Sequence, residues 1–403
     1  MFVAIVAFAA AGALSLGLTP IVRGVAVRRG LLDHAITARK IHGAPTPRLG
    51  GVAIVAAFAA VLGGLALAYG PVATLAREEH HTVIGILGGA LLIAALGVYD
   101  DLVGADARVK FSVQFSVAAL AYAAGLRIDI LSLPLLGTFD LGALGLPLTL
   151  LWIVGVTNAM NLIDGLDGLA GGVALTASAA LFMLALGHSD ALLMIVTATV
   201  GGAVLGFLFF NFNPASIFMG DTGSMFLGYV LATAAIPVAT LGPSATALLV
   251  PILALGLPIC DTLLAMARRA VRGLPMFAAD RGHIHHRLLA LGFTQRQAAL
   301  ALYGSSMCLA GTALVVIRAD DREALLALAL VAAGAVASLR WLGFLQWREL
   351  PGLLAERRQR LLASRAAPGI GDPVDVGAAL DVRALDARSA SAQGADGPTR
   401  IAS

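Results

Sequence analysis

Two adjacent carboxylates, Asp100 and Asp101, open a polar break in a chain that is otherwise largely apolar. Side by side, such charges repel and perturb each other unless a cation sits between them. Mg2+ suits the pair, because it takes oxygen ligands, keeps waters and is held by one or two carboxylates plus substrate phosphates. Lys110 follows shortly after. It and Lys40 are the only lysines in a chain that otherwise uses Arg, and lysine is a flexible point charge for phosphate. A solvated acidic pair at the start of a loop would have the same spelling.

A second polar stretch runs Asn158-Ala-Met-Asn161-Leu-Ile-Asp164-Gly-Leu-Asp167-Gly-Leu-Ala-Gly-Gly172. Asn161, Asp164 and Asp167 are spaced by three, so on a helix they would line one face. Its glycines allow close approach to a ligand or another helix. Asn, Asp and Gly are also ordinary turn formers. A third stretch runs from Asn211 through Asn213 to Gly220-Asp221-Thr222-Gly223-Ser224. There Asp221 or Thr222 is an expected N-cap for the following helix. A carboxylate with backbone donors at a helix start also suits a metal-bound diphosphate.

The fourth stretch carries His283, His285 and His286 between Arg281 and Arg287. Three histidines so close are awkward for one tetrahedral ion, and no Cys is nearby. The flanking arginines favour an anion-binding loop over a zinc site. A fifth segment, Ala38-Arg39-Lys40-Ile-His42 through Arg48 to Gly50-Gly51, places basic side chains before a Gly-Gly helix start and could hold phosphate. Asp261 lies inside an apolar run. A buried acid there is a functional candidate; a structural ion pair or snorkelling contact with Arg268, two turns on, is an equal alternative.

These groups need a scaffold, and composition dictates its type. The chain has 403 residues, 13% charged, with a mean hydropathy of +0.89; soluble domains carry roughly 25% charged residues. An all-α polytopic membrane protein is expected. Apolar runs suggest about eleven transmembrane helices: 2–22, 51–69, 82–99, 112–126, 144–160, 168–187, 191–210, 224–241, 245–267, 297–317 and 324–344. With the N-terminus out and the C-terminus in, 23 of the 27 basic residues fall inside, as the positive-inside rule requires. Two runs separate each of the four main polar stretches from the next. An even number of crossings puts all four on one face, the cytoplasmic one.

The first run carries no positive charge ahead of it, so it reads as a retained helix and not a cleaved signal. Residues 1–350 form the expected membrane domain. Residues 351–403 form a cytoplasmic tail, basic and then disordered in character. Cys260 and Cys308 both sit in apolar runs and frame no disulfide.

The motifs ARKIH (38–42) with PRLGG (47–51), DDL (100–102) with Lys110, NLIDGLDGLAGG (161–172), FMGDTGS (218–224) and GHIHHRL (282–288) occur in an order that resembles the polyprenyl-phosphate N-acetylhexosamine-1-phosphate transferase superfamily, glycosyltransferase family 4. The H-I-H-H form is similar to the WecA/TagO branch. The MraY-like peptidoglycan branch would carry three consecutive histidines, a run that Ile284 breaks here.

The resemblance implies transfer of GlcNAc-1-phosphate from UDP-GlcNAc to undecaprenyl phosphate, giving undecaprenyl-diphospho-GlcNAc and UMP, the first membrane step of a cell-envelope polysaccharide. It implies a Mg2+ cofactor, with Mn2+ allowed. By resemblance, Asp101 and Asp221 hold the metal, and Asp100, Asp101, Asp164, Asp167 and His283 are catalytic. Lys40, Arg48, Lys110, Asn161, Asn213, His285 and His286 bind substrate. The expected partners are a UDP-N-acetylhexosamine and the membrane-borne lipid phosphate, with no nucleic acid; a homodimer is allowed. The expected location is the inner (cytoplasmic) membrane, with the site on the cytoplasmic face. A transporter would instead carry its ionisable groups near mid-membrane, and a mere scaffold would leave the polar stretches surplus.

Overall fold

The computed structural model describes residues 1–33, 46–133, 137–240, 249–273 and 282–344. Lys40, Asp280, Arg281 and the tail from 351 lie outside the described residues. Among those described, eight helices are long and apolar enough to cross a membrane.

The chain starts with α1 (Phe2–Arg28), followed by a two-residue antiparallel pair, β1 (Leu32–Asp33) with β2 (Thr46–Pro47). Next come α2 (Gly50–Ala68) and the short α3 (Gly70–Glu78). Then α4 (His80–Val83) runs through a π-helical turn, Ile84–Gly88, into α5 (Gly89–Val103), making one span of 24 residues. α6 (Ala107–Ala123) leads to the hairpin β3 (Ile130–Leu133) and β4 (Gly137–Asp140). α7 (Gly145–Ile163), α8 (Leu169–Gly187), α9 (Ala191–Asn211) and α10 (Gly220–Thr240) follow. The remaining helices are α11 (Leu249–Ala254), α12 (Gly256–Arg272), α13 (Ile284–Ala290), α14 (Gln295–Val316) and α15 (Asp321–Trp341).

A helix covers every apolar run expected to span. Three runs fall outside the set of eight: those of α6, α10 and the α11–α12 pair. The ninth expected span is broken at Leu255, whose φ of −106° and ψ of 17° leave the helical region. Pro258 explains the break, since it has no N–H to offer the preceding turn and its ring crowds that turn.

α10 is the hub, packing against α2, α5, α7 and α8. Its first turn is gripped closely. A Cβ on Gly51 of α2 would lie 2.1 Å from the Gly223 nitrogen, and one on Gly97 of α5 would lie 2.4 Å from the Thr222 Cα. Both neighbours are backbone, so neither can give way. Gly51→Ala is therefore expected to cost about 1–3 kcal/mol through overpacking. Gly63→Ala, on the same helix but facing open space, should melt like the parent in a detergent thermal scan.

Candidate active site

The acidic pair lies in the last turn of α5, where the helix dipole disfavours carboxylates. Each acid is compensated from a distant part of the chain. Asp101 reaches the start of α10: its Oδ1 accepts the Asp221 N–H at 2.9 Å, and its Oδ2 accepts the Thr222 N–H at 3.0 Å and the Thr222 hydroxyl at 2.6 Å. The expected cap from Asp221 or Thr222 is thus corrected. The cap comes from another helix, and Asp221 lies in the first turn of α10. Gly220 precedes it with φ +72°, a conformation that suits glycine.

Asp100 accepts the Ala105 N–H at 2.6 Å and pairs with Lys110 Nζ. The same ammonium donates to Asp221 Oδ2 at 2.7 Å. Lys110 therefore bridges two carboxylates from separate helices and balances part of their charge.

Asn161, Asp164 and Asp167 do not share a helix face, which corrects the expectation from their spacing. α7 ends at Ile163, and Asp164 has a ψ of 47°. The chain then turns through Gly168, at φ +77°, into α8. The glycines at 165 and 168 terminate the helix inside the motif. As a result the three polar side chains point to different partners. Asn161 donates to the Ser224 hydroxyl at 2.9 Å, and that hydroxyl donates to the Gly220 carbonyl at 3.0 Å.

Asp167 is buried. Its Oδ2 accepts the Asn213 amide at 2.9 Å and the Ala215 N–H at 3.0 Å, while its Oδ1 has no hydrogen-bond partner. Asp164 accepts no hydrogen bond from the described residues. Burial, with Asp221, Asp101 and Asp167 close by, pushes its carboxyl up to about 8. A group so placed gains most from a cation.

The histidine loop closes on this turn. The His285 ring lies against Gly165, where a Cβ would stand 2.7 Å from Nε2. His285 is 2% exposed, and neither ring nitrogen has a hydrogen-bond partner. Burial, with His286 beside it, pushes the ring down to about 3. The folded state thus holds His285 neutral while the unfolded chain takes a proton near 6.5. Its contribution to stability is whole above about pH 6.5 and falls as pH drops toward 3, by up to about 1.4 kcal/mol per pH unit. His285→Gln should flatten that part of the acid-unfolding curve.

His283 Nδ1 stands in hydrogen-bond contact with Asp261 Oδ2, 2.8 Å away, and Asp261 Oδ1 accepts the Ile284 N–H at 2.8 Å. Of the two readings of Asp261, a functional group or a contact with Arg268, the hydrogen bonds favour the first: the acid holds the histidine loop. Arg48 pairs with Asp33 at 2.5 Å beside the β1–β2 ladder. Its neighbours do reach the site: Gly50 and Gly51 donate their N–H groups to the carbonyls of Phe218 and Met219 at 2.9 and 2.8 Å.

Several further residues complete the frame. Asn211 accepts the Gly168 N–H at 3.1 Å and donates to the Ile217 carbonyl at 3.0 Å. Tyr303 donates to the Gly168 carbonyl at 2.7 Å. Gln295 accepts the Asn213 amide at 2.8 Å, and Arg296 donates to the Asn213 carbonyl at 2.7 Å. Asn211 was visible in its motif. Tyr303, Gln295 and Arg296 stand far along the chain, in or at the start of an apolar helix long enough to span a membrane, and gave no signal.

Comparison with known proteins gives the family. The model of glycosyl transferase family 4 matches residues 83–239. A probable undecaprenyl-phosphate N-acetylglucosaminyl 1-phosphate transferase of Bacillus subtilis is 42% identical over 287 residues, 71% of this chain and 77% of that protein. The chain belongs to glycosyl transferase family 4. The decaprenyl-phosphate N-acetylglucosaminephosphotransferase of Mycobacterium tuberculosis is 36% identical over 305 residues, covering 70% and 74% of the two chains. The undecaprenyl-phosphate alpha-N-acetylglucosaminyl 1-phosphate transferase of Escherichia coli is 30% identical over 286 residues, covering 68% and 74%. The family match spans Asp100, Asp101, Lys110, the turn at Asp164–Asp167 and Asp221. The histidine loop stands beyond it and is joined to it in space by the His285–Gly165 contact.

Proposed function

We propose that this chain transfers GlcNAc-1-phosphate from UDP-GlcNAc to undecaprenyl phosphate, releasing UMP, at the cytoplasmic face of the cell membrane. The observation that carries the reading is one cluster. Asp100, Asp101, Asp221 and Lys110 interlock at the ends of α5, α6 and α10, with Asp164, which has no hydrogen-bond partner among the described residues, close by. The activities for which the relatives are named supply the substrate class. The reading keeps eleven spans with the N-terminus out, on the strength of the basic-residue distribution.

The residues fit a divalent cation. Among the described residues, Asp164 is a carboxyl with no hydrogen-bond donor and with other acids close by, and Asp221 has Lys110 as its one cationic partner. Asp221 and Asp101 would hold Mg2+, and Asp101 Oδ1 keeps a second lone pair beyond the one facing α10. Bound there, the ion would neutralise the diphosphate and polarise the phosphorus under attack.

The chain's own groups do the rest. A lipid phosphate is already largely ionised near neutral pH, so the harder task is bringing two anions together. Lys110 supplies a positive charge at the meeting point, and Asp100, held by that ammonium and by Ala105, orients the acceptor phosphate. Asp167 Oδ1 is buried and open to a donor from the nucleotide-sugar, while Asn213 holds the carboxylate still. The histidine loop lines the diphosphate-sugar side. A site at the helix ends lets a lipid tail stay in the bilayer while the nucleotide arrives from water.

The test is UMP release by the purified chain with undecaprenyl phosphate and, in turn, UDP-GlcNAc, UDP-GalNAc and UDP-MurNAc-pentapeptide. UDP-GlcNAc should be the preferred donor. Preference for the pentapeptide donor would replace the reading with the MraY-like one, and no UMP from any donor would overturn it.

A further inference from the structure

Asp261 is the one acid of the site region that the reaction scheme leaves without a task. It lies in the second turn of α12, 2% exposed, well removed in sequence from every family motif except the histidine loop. Both its oxygens are used. Oδ1 accepts the Ile284 N–H, the first backbone donor of α13, and Oδ2 meets His283 Nδ1, each at 2.8 Å. An ionised carboxylate is acceptor-only, so Nδ1 is the donor and carries the proton. That fixes the tautomer: on the neutral ring, Nε2 is left as the free position. Hydrogen-bonding one ring nitrogen decides what the other offers to a ligand.

The effect extends past His283. Its ring lies parallel to that of His285, 5.7 Å between centroids and 6° between planes, and His285 abuts Gly165 in the carboxylate turn. A single carboxylate on α12 thus sets the start of α13, the rotation of His283 and, through ring packing, the seat of His285 against the acidic loop.

We infer that Asp261 is a positioning residue for the transfer reaction, acting through His283 by holding its Nδ1–H and presenting Nε2 as an acceptor to a hydroxyl or amide N–H of the nucleotide-sugar. This rests on the proposed placement of the histidine loop at the substrate. A purely structural ion pair would need only charge and shape; the positioning role needs an acceptor at Nδ1. Asp261→Asn separates the two. The amide oxygen can still accept the Ile284 N–H, but the amide NH2 then faces Nδ1 and drives the proton to Nε2.

The experiment is a double-mutant cycle of Asp261→Asn and His283→Ala, read as UMP release with UDP-GlcNAc and undecaprenyl phosphate, with thermal melting of each variant. Each single change should lower kcat by about 10–100-fold, with KM for UDP-GlcNAc shifted less than about threefold. The double variant should be no slower than His283→Ala alone, because Asp261 has nothing left to act through. Losses that multiply, or full kcat in Asp261→Asn, overturn the inference. Should Asp261→Asn not fold, Asp261→Glu keeps both acceptors and the charge, and the same cycle decides with it: non-additive supports, additive overturns. A parent enzyme that releases no UMP condemns the reading of function instead, so the two failures are distinct.

Discussion

Asp221→Asn should lower kcat for UMP release by roughly 10²–10³-fold, the order lost when a charge-stabilising group is removed from a preorganised site, while leaving the fold intact. Asp221 is where the site's charges meet. It takes Lys110 Nζ at 2.7 Å, Asp100 shares that ammonium, and its charge bears on Asp164. The amide has the same shape and keeps its backbone N–H on Asp101 Oδ1, so α10 should start unchanged. What it lacks is the negative charge that would hold a divalent ion. The variant should also need more Mg2+ to reach half its residual rate. A Mg2+ titration of activity beside a thermal melt checks both points, and undiminished metal-dependent transfer would sink the metal role of Asp221.

The second large effect is expected at Asp101, and it should appear in stability as well as rate. Asp101→Ala leaves the Asp221 N–H, the Thr222 N–H and the Thr222 hydroxyl without their acceptor, and Thr222 is 1% exposed, so water cannot easily replace it. Loss of a cap costs about 1 kcal/mol, and each buried donor left unmade costs about 1–3 kcal/mol. A destabilisation on the order of 3 kcal/mol follows, with transfer abolished because the first turn of α10 carries Asp221. Asp101→Asn, retaining one acceptor oxygen, should fall between the two. Denaturant or thermal unfolding in detergent, set beside UMP release, separates this from Asp221→Asn, which should cost rate without stability. A melt unchanged in Asp101→Ala would remove the capping role.

Much of the molecule was readable before any coordinates. The low charge and the long apolar runs decided the helical membrane class, because only helices or closed barrels satisfy the backbone in lipid. Counting runs between polar stretches predicted that Asp100, Asp164, Asp221 and the histidines would meet, and Lys110–Asp221 and His285–Gly165 join those stretches in space. The motif order identified the family, which the relatives support.

What the sequence by itself determined is therefore which residues are polar, which helices carry them and at which ends. Hydropathy and spacing are local properties, and the cost of an unsatisfied group in lipid is felt residue by residue. Only the tertiary structure decided the pairings. Asp101 with Thr222 and Lys110 with Asp221 are each separated by more than a hundred residues. A helical period tells which side of a helix a carboxylate faces but not which neighbour waits there. The same limit left Asp261 open between a functional role and a contact with Arg268, two turns along its own helix, whereas the loop that folds back brings His283 to it. It also kept Asn161, Asp164 and Asp167 on one face, whereas the glycines between them end the helix and send each to its own partner. Those partners, chosen by packing around α10, turn a set of acids into a site.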